Sequence, residues 1–330
     1  QLTGNMTFDV IIGNPPYQLT DGGGTGSSAM PIYHRFIQQA KKLNPRYLTM
    51  IVPSRWFVGG KGLDEFRDEM LNDSHIEIIH DYLDAGECFP GVEIKGGVCI
   101  FLRNNRYKGP CRIHTHENNN ITSVATRPLL EKGANVFIRF NQAIPIYKKV
   151  ISSEFHSFIS HVSTRKPFGI SSTFTGYKKT SNNPDDILIY ANKSIGYLSS
   201  NYPIPQNTTW INKYKVYISF GYGAGEGYPH QILNKPILGE KRSCCTETYL
   251  VIGPYKSRNE ANNVISYINT KFFRFMVMLK KNTQNGTRGV YEFVPLQEFS
   301  HPWTDVMLYK KYNLTEEEIA FIESMIRPME

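Results

Sequence analysis

The sequence Phe8-Asp9-Val10-Ile11-Ile12-Gly13-Asn14-Pro15-Pro16-Tyr17 decides the fold of the chain around it. Residues 8–12 form a short β-branched and aromatic run that ends at a glycine, which is typical of a strand buried on both faces. Pro15 and Pro16 fix φ twice, and Pro15 keeps Asn14 out of the helical region. In open α/β sheets, ligands bind where parallel strands end. The pattern therefore predicts a central strand followed by a stiff turn that carries function.

The turn offers a specific set of polar and aromatic groups. The side chain of Asn14 has an amide carbonyl, and Pro15 has a backbone carbonyl but no N–H. Two acceptors can bind both hydrogens of an exocyclic amino group and leave the nitrogen lone pair free to attack an electrophile. Tyr17 adds a flat aromatic face on which a base can stack. This combination indicates a site that holds and activates the amino group of a base.

The length and charge of the chain narrow the classes of function. A chain of 330 residues can form two domains, each with its own core. Hydrophobic residues make up 40% of the chain and no apolar run reaches membrane-spanning length, so we expect no membrane partner. The formal net charge of +8 favours an anionic partner, most commonly nucleic acid.

The cysteines and histidines argue against a metal site. The five cysteines form no C-x-x-C pair, and two of them are adjacent; they are Cys88, Cys99, Cys111, Cys244 and Cys245. This pattern of cysteines is typical of a reducing compartment, the cytoplasm, and argues against both a disulfide framework and a zinc site. His114 and His116 lie two residues apart, without a clustered carboxylate or thiol, so we expect them to have a structural or surface role.

The apolar residues after the turn alternate between helical and strand periods. Helices are predicted from Pro31 to about Ala40 and over Leu63–Leu71, and strands over Tyr47–Val52, Ile76–Tyr82 and Gly97–Leu102. The strand–helix–strand order implies parallel pairing with right-handed crossovers. The last two strands lack a helix between them, so we expect the final strand to be antiparallel. The predicted fold class is α/β.

Asn14-Pro15-Pro16-Tyr17 after such a strand resembles the catalytic motif of the adenine-N6 DNA methyltransferases of bacterial type II and type IIG restriction–modification systems. Later segments are similar to further motifs of that family, in the same order: Ile32–Phe36, Met50–Ser54, Leu63–Arg67 and Cys88–Pro90. The resemblance implies that the first third of the chain is the second half of a Rossmann-like methyltransferase sheet.

The resemblance also implies a mechanism. S-adenosylmethionine would be the methyl donor, and the target adenine would be flipped out of double-stranded DNA. Tyr17 and Phe89 would stack on the two faces of the adenine. Asn14 and Pro15 would bind its amino group next to the cofactor, and Pro16 completes the motif.

In this family the glycine-rich cofactor loop and the acidic partner of the ribose precede the catalytic strand, whereas this chain starts at Gln1. We therefore expect the chain to be the C-terminal portion of a longer enzyme, inactive and weak in cofactor binding by itself, with most cofactor contacts in an absent N-terminal portion. A permuted cofactor loop at Phe220–Gly227 is an alternative, although Tyr228-Pro229 follows where the fold needs a helix.

Two further segments have more than one interpretation. The loop Asp21–Ser28 is either a linker or a mobile flap over the target base. Asp81 or Asp84, followed by Glu93-Ile94-Lys95, imitates the acidic pattern of metal-dependent nucleases, in which carboxylates hold Mg²⁺. The methyltransferase resemblance already accounts for this second segment, so we predict no metal site there.

The composition changes after about residue 115, where Asn118-Asn119-Asn120 opens a region rich in Tyr, Asn, Thr and Lys. We predict that residues 1–115 are the C-terminal part of the catalytic domain and that residues 116–330 are a mixed α/β target-recognition domain. Interleaved aromatic, amide and basic side chains suit DNA. The candidate DNA-binding residues are Lys178, Lys179, Lys193, Lys213, Lys241, Arg242, Lys281 and Arg288.

The C-terminal elements complete this recognition domain. We predict one long amphipathic helix over Glu260–Lys281, a strand after the loop Gln284–Gly289, and a closing helix over Glu316–Ile326 with Thr315 as its N-cap. Several segments, among them Thr246–Ile252, resemble the C-terminal target-recognition regions of restriction-associated adenine methyltransferases.

The sequence thus predicts sequence-specific adenine-N6 methylation of double-stranded DNA. One alternative is a fused nuclease–methyltransferase whose nuclease lies upstream, and another is a specificity subunit that reads DNA while a different chain catalyses. The partners would be double-stranded DNA and either an N-terminal portion or a restriction subunit. An intact Asn14–Tyr17 turn argues against a pure DNA reader, which has no use for it.

Overall fold

The computed structural model of the protein describes residues 8–19, 30–152, 154–223, 227–281 and 283–330. The chain divides into two compact units, Gln1–Ile144 and Pro145–Glu330. The predicted loop Asp21–Ser28 lies outside the described residues, as do residues 224–226 of the glycine-rich segment after Phe220.

In its described residues, the first unit is a six-stranded mixed sheet with two α-helices. Its strands lie in the order β1-β2-β4-β3-β5-β6. The elements are β1 (Val10–Gly13), α1 (Tyr33–Lys42), β2 (Tyr47–Pro53), α2 (Asp64–Leu71), β3 (Ile76–Tyr82), β4 (Val98–Asn104), β5 (Cys111–Glu117) and β6 (Asn120–Arg127). β1 is parallel to β2, while β4 is antiparallel to both β2 and β3. The predicted helices, strands and antiparallel β4 are confirmed, and so is the α/β class.

The apolar periods explain why these elements form. In β2, the alternate residues Leu48, Met50 and Val52 are buried, as a period of two requires. In α1, the buried residues Tyr33, Ile37 and Ala40 recur at helical spacing. They share one core with the aromatic and aliphatic side chains of α2, β3 and β4, which fixes both helices against the sheet.

The prediction that the strand before the turn is buried on both faces is wrong for this chain. Ile11 packs against the core, but the side chains on either side of it, Val10 and Ile12, are 48% and 77% exposed. Among the described residues β1 is the edge strand of the sheet, with β2 as its paired neighbour. An apolar run therefore indicates a strand here without fixing its place within the sheet.

The structure also moves the boundary between the units. The predicted boundary at residue 115 falls inside β5, which pairs in parallel with β3 and antiparallel with β6. Asn118 and Asn119, which the sequence suggested as the opening of a new domain, have φ of 53° and 59° and form the two-residue turn of the β5–β6 hairpin. Asparagine favours such left-handed turns. A polar run thus indicated a domain boundary where the chain only turns.

The second unit combines two three-stranded sheets with helices. One sheet has the order β10-β9-β12 and the other the order β11-β7-β8. The elements from the division onward are α3 (Ala143–Ser152), β7 (Ile187–Ala191), β8 (Ser194–Leu198), β9 (Tyr214–Ser219), β10 (Ile237–Gly239), β11 (Ser243–Cys245), β12 (Tyr249–Tyr255), α4 (Arg258–Asn269), α5 (Lys271–Met278), α6 (Asp305–Lys311) and α7 (Glu316–Met325). This arrangement agrees with the predicted mixed α/β character.

The predicted single helix over Glu260–Lys281 is wrong, because the chain forms α4 and α5 with a break at Thr270. Thr270 has extended backbone angles, and its hydroxyl accepts a hydrogen bond from the N–H of Phe273. The carboxylate of Asp305 accepts two more, from the N–H groups of Lys271 and Phe272. These acceptors satisfy the first amides of α5 and so stabilise a second helix start.

The remaining C-terminal predictions have mixed outcomes. The expected strand after Gln284–Gly289 is wrong, since Arg288–Tyr291 forms a single 3-10 turn. The closing helix is confirmed as α7, and Thr315 and Glu318 form a reciprocal capping box at its start. In the described part of the chain, no helix combines the length and apolar character that crossing a membrane requires.

Candidate functional site

The turn Asn14–Tyr17 lies at the carboxyl end of β1 and beside the second half of β2, because Gly13 is paired with Met50, three residues before β2 ends at Pro53. The strands β1, β2, β3 and β5 all run in the same direction. The segments that follow β1, β2 and β3 therefore emerge at the same end of the sheet, where the strands have their carboxyl ends and where α/β folds bind ligands. The side chain of Asn14 is exposed at this end, whereas Pro15 is buried and anchors the turn.

Tyr17 is held in place from both its ring and its backbone. The ring is half-buried against the core of the first unit and meets Tyr33 edge-on, with 6.5 Å between ring centroids. The Tyr17 carbonyl accepts a hydrogen bond from the N–H of Ile32 at 3.1 Å, and Leu19 donates to Met30 at 3.1 Å. The chain on both sides of residues 20–29 is thus paired, which fixes the turn relative to α1.

The hydroxyl of Tyr17 is buried and has no hydrogen-bond partner within the described residues. Burial raises the pKa of Tyr17 to about 12, and the nearby thiols of Cys99 and Cys88 add to this effect. The phenol is therefore neutral throughout the physiological range. The exposed part of Tyr17 is therefore its ring and not its hydroxyl.

Phe89 contacts Tyr17, so the structure brings the predicted stacking pair together. Their ring centroids are 6.4 Å apart, and the planes meet at 66°. A base stacked on both rings requires nearly parallel faces about 7 Å apart, twice the spacing of about 3.4 Å between stacked bases. One ring must therefore rotate before a base can enter between them. Phe89 follows the 3-10 turn Ala85–Glu87 after β3 and is itself half-buried.

A buried ion pair that the sequence did not reveal connects the strands at this carboxyl end of the sheet. Asp81 on β3 is fully buried, and its carboxylate binds the guanidinium of Arg139 through two contacts of 2.5 and 2.6 Å. Ser54, directly after β2, donates its hydroxyl to the same carboxylate at 3.1 Å. Arg139 also donates to the carbonyl of Tyr82. The pair fastens the ends of β2 and β3, from which the site segments emerge.

A pattern-based signal for this ion pair does exist. Asp81 occupies an inward-facing position of β3, two residues after the buried Ile79. A carboxylate at such a position requires a cationic or hydrogen-bonding partner. The partner lies 58 residues away in the sequence, so its identity could not be read from the pattern.

This ion pair also bears on the nuclease-like pattern at Asp81, Asp84 and Glu93-Ile94-Lys95. Asp81 is neutralised by Arg139, and Asp84 accepts a hydrogen bond from the N–H of Gly86 at 2.8 Å as a turn cap. Over the part of the chain that the structure describes, no group of three histidine, cysteine, aspartate or glutamate side chains is placed to hold a metal ion. Both aspartates thus have local structural roles.

His114 and His116 belong to a cluster that the sequence only partly indicated. His80 on β3 stacks on His114 with ring centroids 4.5 Å apart, and its Nδ1 lies 2.9 Å from Nε2 of His116. Tyr82 in turn stacks on His116 at 4.2 Å. Burial and the neighbouring imidazoles lower the pKa of His80 to about 4. The cluster is a neutral, stacked ladder across β3 and β5, consistent with the predicted structural role.

The permuted cofactor loop after Phe220 has no support in the geometry. β9, which precedes it, is antiparallel to both of its neighbours, β10 and β12. A cofactor-binding loop needs a parallel strand that leads into a helix. Instead, the chain at Gly221 pairs with Asn285, and the N–H of Tyr222 donates to the carbonyl of Gln284 at 2.9 Å.

The eight predicted DNA-binding residues fall into three groups in the second unit. Lys178, Lys179 and Lys193 lie on or beside β8. Lys213, Lys241 and Arg242 lie near the start of β7, since the N–H of Arg242 donates to Ile211 and its carbonyl accepts from Leu188. Lys281 and Arg288 donate to the backbone carbonyls of Tyr222 and Ile159. The structure therefore does not gather all eight on one surface.

Comparisons with known proteins bear on the family resemblance of the first part of the chain. The family model of the Eco57I restriction-modification methylase matches residues 1–89. An uncharacterized adenine-specific methylase from Mycoplasma pneumoniae (strain ATCC 29342 / M129 / Subtype 1) is 43% identical over 114 residues, which are 34% of this chain. The chain spans only 27% of that relative's length. The resemblance to restriction–modification methylases is thus confirmed, and the family match lies within the first unit.

Solved structures show distant likenesses over more of the chain. The type IIG restriction endonuclease BpuSI aligns with 93% of this chain and 49% of its own, at 12% identity and a TM-score of 0.37. The type IIL restriction-modification enzyme MmeI in complex with DNA aligns with 86% of this chain and 45% of its own, at 10% identity and a TM-score of 0.47.

Proposed function

We propose that this chain carries the catalytic turn and the target-recognition part of an adenine-N6 DNA methyltransferase of a restriction–modification system. The observation that carries the proposal is the placement of Asn14–Tyr17 at the carboxyl end of β1, with Phe89 against the ring of Tyr17. The match of residues 1–89 to a restriction-modification methylase family supports it.

In the proposed reaction, the turn acts on a flipped adenine. The side-chain carbonyl of Asn14 and the backbone carbonyl of Pro15 accept the two hydrogens of the N6 amino group, which leaves the lone pair of N6 free to attack. Tyr17 holds one face of the base, and Phe89 rotates to hold the other. Flipping costs a few kcal/mol, and stacking returns about 1–3 kcal/mol per base. The two rings thus offset much of the cost of extrusion.

S-adenosylmethionine supplies an electrophilic methyl group when it is bound. The residues of the turn fit this chemistry, because Asn14 is exposed at the strand end and offers an acceptor rather than a competing nucleophile. Asn14 and Pro15 would lie beside the methyl group and orient the amino nitrogen toward it. We assign no further cofactor contact to the described residues, and this mechanism requires no metal.

The second unit would recognise double-stranded DNA. Its exposed lysines and the net charge of +8 suit a polyanionic partner. The five cysteines are all free, as expected of a protein from a reducing compartment such as the cytoplasm. The proposal does not depend on whether a nuclease is fused to the chain or acts as a separate subunit.

The test is a methylation map. The full-length protein that contains these 330 residues is expressed in a bacterium without adenine methylation, and N6-methyladenine is located by single-molecule sequencing. We expect methylation at one short sequence, its loss in Asn14→Ala, and its retention in Asn105→Ala. Asn105 is a matched control because it lies at the other end of the sheet from Asn14. Its backbone N–H donates to the carbonyl of Arg46, directly before the start of β2. An unmethylated genome, or full methylation by Asn14→Ala, would overturn the proposal.

A further inference from the structure

Three exposed lysines lie on one β-hairpin and on the segment next to it. β7 and β8 form an antiparallel hairpin, residues 187–198, whose turn is Asn192-Lys193; we name it the Lys193 hairpin. Beyond its outer strand, Lys178 pairs with Tyr197 through two backbone hydrogen bonds of 2.9 and 2.8 Å, and Lys179 follows. The Lys193 hairpin and the segment Tyr177–Lys179 thus form one edge of the second unit.

The cations on this edge are not used within the molecule. Lys178, Lys179 and Lys193 are exposed, and among the described residues none has an ion pair or a side-chain hydrogen bond. Arg242 differs, since it pairs with Asp185 at 2.5 Å and donates to the carbonyl of Pro184 at 2.6 Å. The positive charge of the edge is therefore available to an anionic partner.

The tip of the Lys193 hairpin also presents two groups suited to base edges. Asn192 is exposed, and its carboxamide has no partner in the described part of the chain. Ile195 is 55% exposed, although it lies on a strand. The hydroxyl of Tyr177 bonds to that of Ser194 at 2.5 Å, and its ring covers Gly196, where an added Cβ would lie 2.1 Å from Cδ2. The tip is thus supported by a fixed aromatic ring.

We propose that the Lys193 hairpin enters the major groove of double-stranded DNA and reads bases there, an inference that rests on the proposed function. A two-stranded β-ribbon fits the major groove, which is about 12 Å wide, and the tip of the Lys193 hairpin, residues 191–196, lies beyond the pairing of β7 with β11 and of Tyr197 with Lys178. Lys193 and Tyr197, the partner of Lys178, are four positions apart along the chain, or about 13 Å at about 3.3 Å per residue. This distance is close to the width of the groove, so Lys193 and Lys178 could each contact the phosphate backbone on one side of it.

The polar and apolar groups at the tip define which bases would be read. A free carboxamide such as that of Asn192 can form a bidentate pair with N6 and N7 of adenine. The methyl groups of Ile195 suit contact with the C5-methyl of thymine. The Lys193 hairpin would therefore recognise A·T pairs, whereas Lys178 and Lys179 would hold the backbone without regard to sequence.

The experiment uses the 330-residue chain and short duplex DNA with randomised central base pairs. Bound duplexes are separated and sequenced, and affinity for one fixed duplex is measured across a salt series. Lys193→Asn removes the charge but suits the left-handed φ of 57° at this position. Lys166→Asn is its control, an exposed lysine with a φ of 63° that lies beside Glu247. Asn259→Ala, in the first turn of α4, is the control for Asn192→Ala.

We expect Lys193→Asn to reduce the slope of log affinity against log salt by about one, and Lys166→Asn to leave it unchanged. Asn192→Ala should erase the preference for adenine at one position, a loss of about 5- to 150-fold in discrimination, with Asn259→Ala unchanged. If the wild-type chain binds duplex DNA and neither Asn192→Ala nor Lys193→Asn changes that binding, the hairpin assignment is wrong, while the proposed function still stands. A chain that binds no duplex at any salt concentration overturns both.

Discussion

Replacing Arg139 should destabilise the first unit more than replacing its partner Asp81. The reason is the difference in exposure, since the side chain of Asp81 is 0% exposed and that of Arg139 is 20% exposed. Arg139→Met leaves a fully buried carboxylate with one hydroxyl donor, and breaking such a pair costs about 3–5 kcal/mol. Asp81→Asn keeps the shape and leaves a cation that water can reach, so its cost should be smaller, about 1–2 kcal/mol.

Hydrogen exchange followed by mass spectrometry measures this locally, on peptides from β3 and β4. For Arg139→Met, a loss of about 3–5 kcal/mol in stability makes amide exchange roughly 150- to 5000-fold faster. This holds for amides that exchange through the unfolding event that the ion pair opposes. The double variant Asp81→Asn/Arg139→Met should exchange more slowly than Arg139→Met, because it removes the orphaned charge. Arg106→Met, an exposed arginine in the same unit, is the control. Equal effects of the two single variants, or less than about 1 kcal/mol for Arg139→Met, would refute the reasoning.

Three further predictions concern other parts of the molecule. Tyr17→Phe should keep methyl transfer and raise stability by about 1 kcal/mol in urea unfolding, since it removes a buried hydroxyl without a partner, whereas Tyr17→Ala should lose transfer. The pKa of His80 is lowered in the folded state to about 4, so its share of stability is complete above about pH 6.5 and is lost as the pH falls toward 4. His80→Phe should reduce the stability difference between pH 7 and pH 5 by no more than about 2 kcal/mol, and thermal unfolding at both pH values checks this against the exposed-site control His156→Gln. Thr270→Ala should cost about 1 kcal/mol by removing the cap on α5, with faster amide exchange at Phe273 as the readout.

The elements that the sequence predicted well are those whose burial follows a simple period. β2 alternates inward and outward residues, β3 does so from Ile79 onward, and α2 presents Phe66, Met70 and Leu71 on one face, so their bounds could be placed within a residue or two. The turn at Asn14 was equally readable, because two prolines after a strand allow little else.

The features that escaped prediction depend on contacts between distant residues. The break between α4 and α5 needs Asp305, which lies more than 30 residues beyond the helix start that it caps. Arg139 reaches Asp81 across 58 residues. The hairpin turn at Asn118 and Asn119 resembled a linker, since polar residues suit both, and only the pairing of β5 with β3 distinguishes the two.

The central claim is that Asn14 positions the amino group of a flipped adenine for methyl transfer. The most direct measurement is transfer from isotopically labelled S-adenosylmethionine to duplex DNA by the full-length protein, with the product nucleoside identified by mass spectrometry and DNA binding measured on the same preparations. The account predicts label on N6 of adenine, its loss in Asn14→Ala with DNA affinity unchanged, and partial retention in Asn14→Asp, which keeps an acceptor at that position. Near-normal transfer by Asn14→Ala, or label on cytosine in the wild-type reaction, would contradict it.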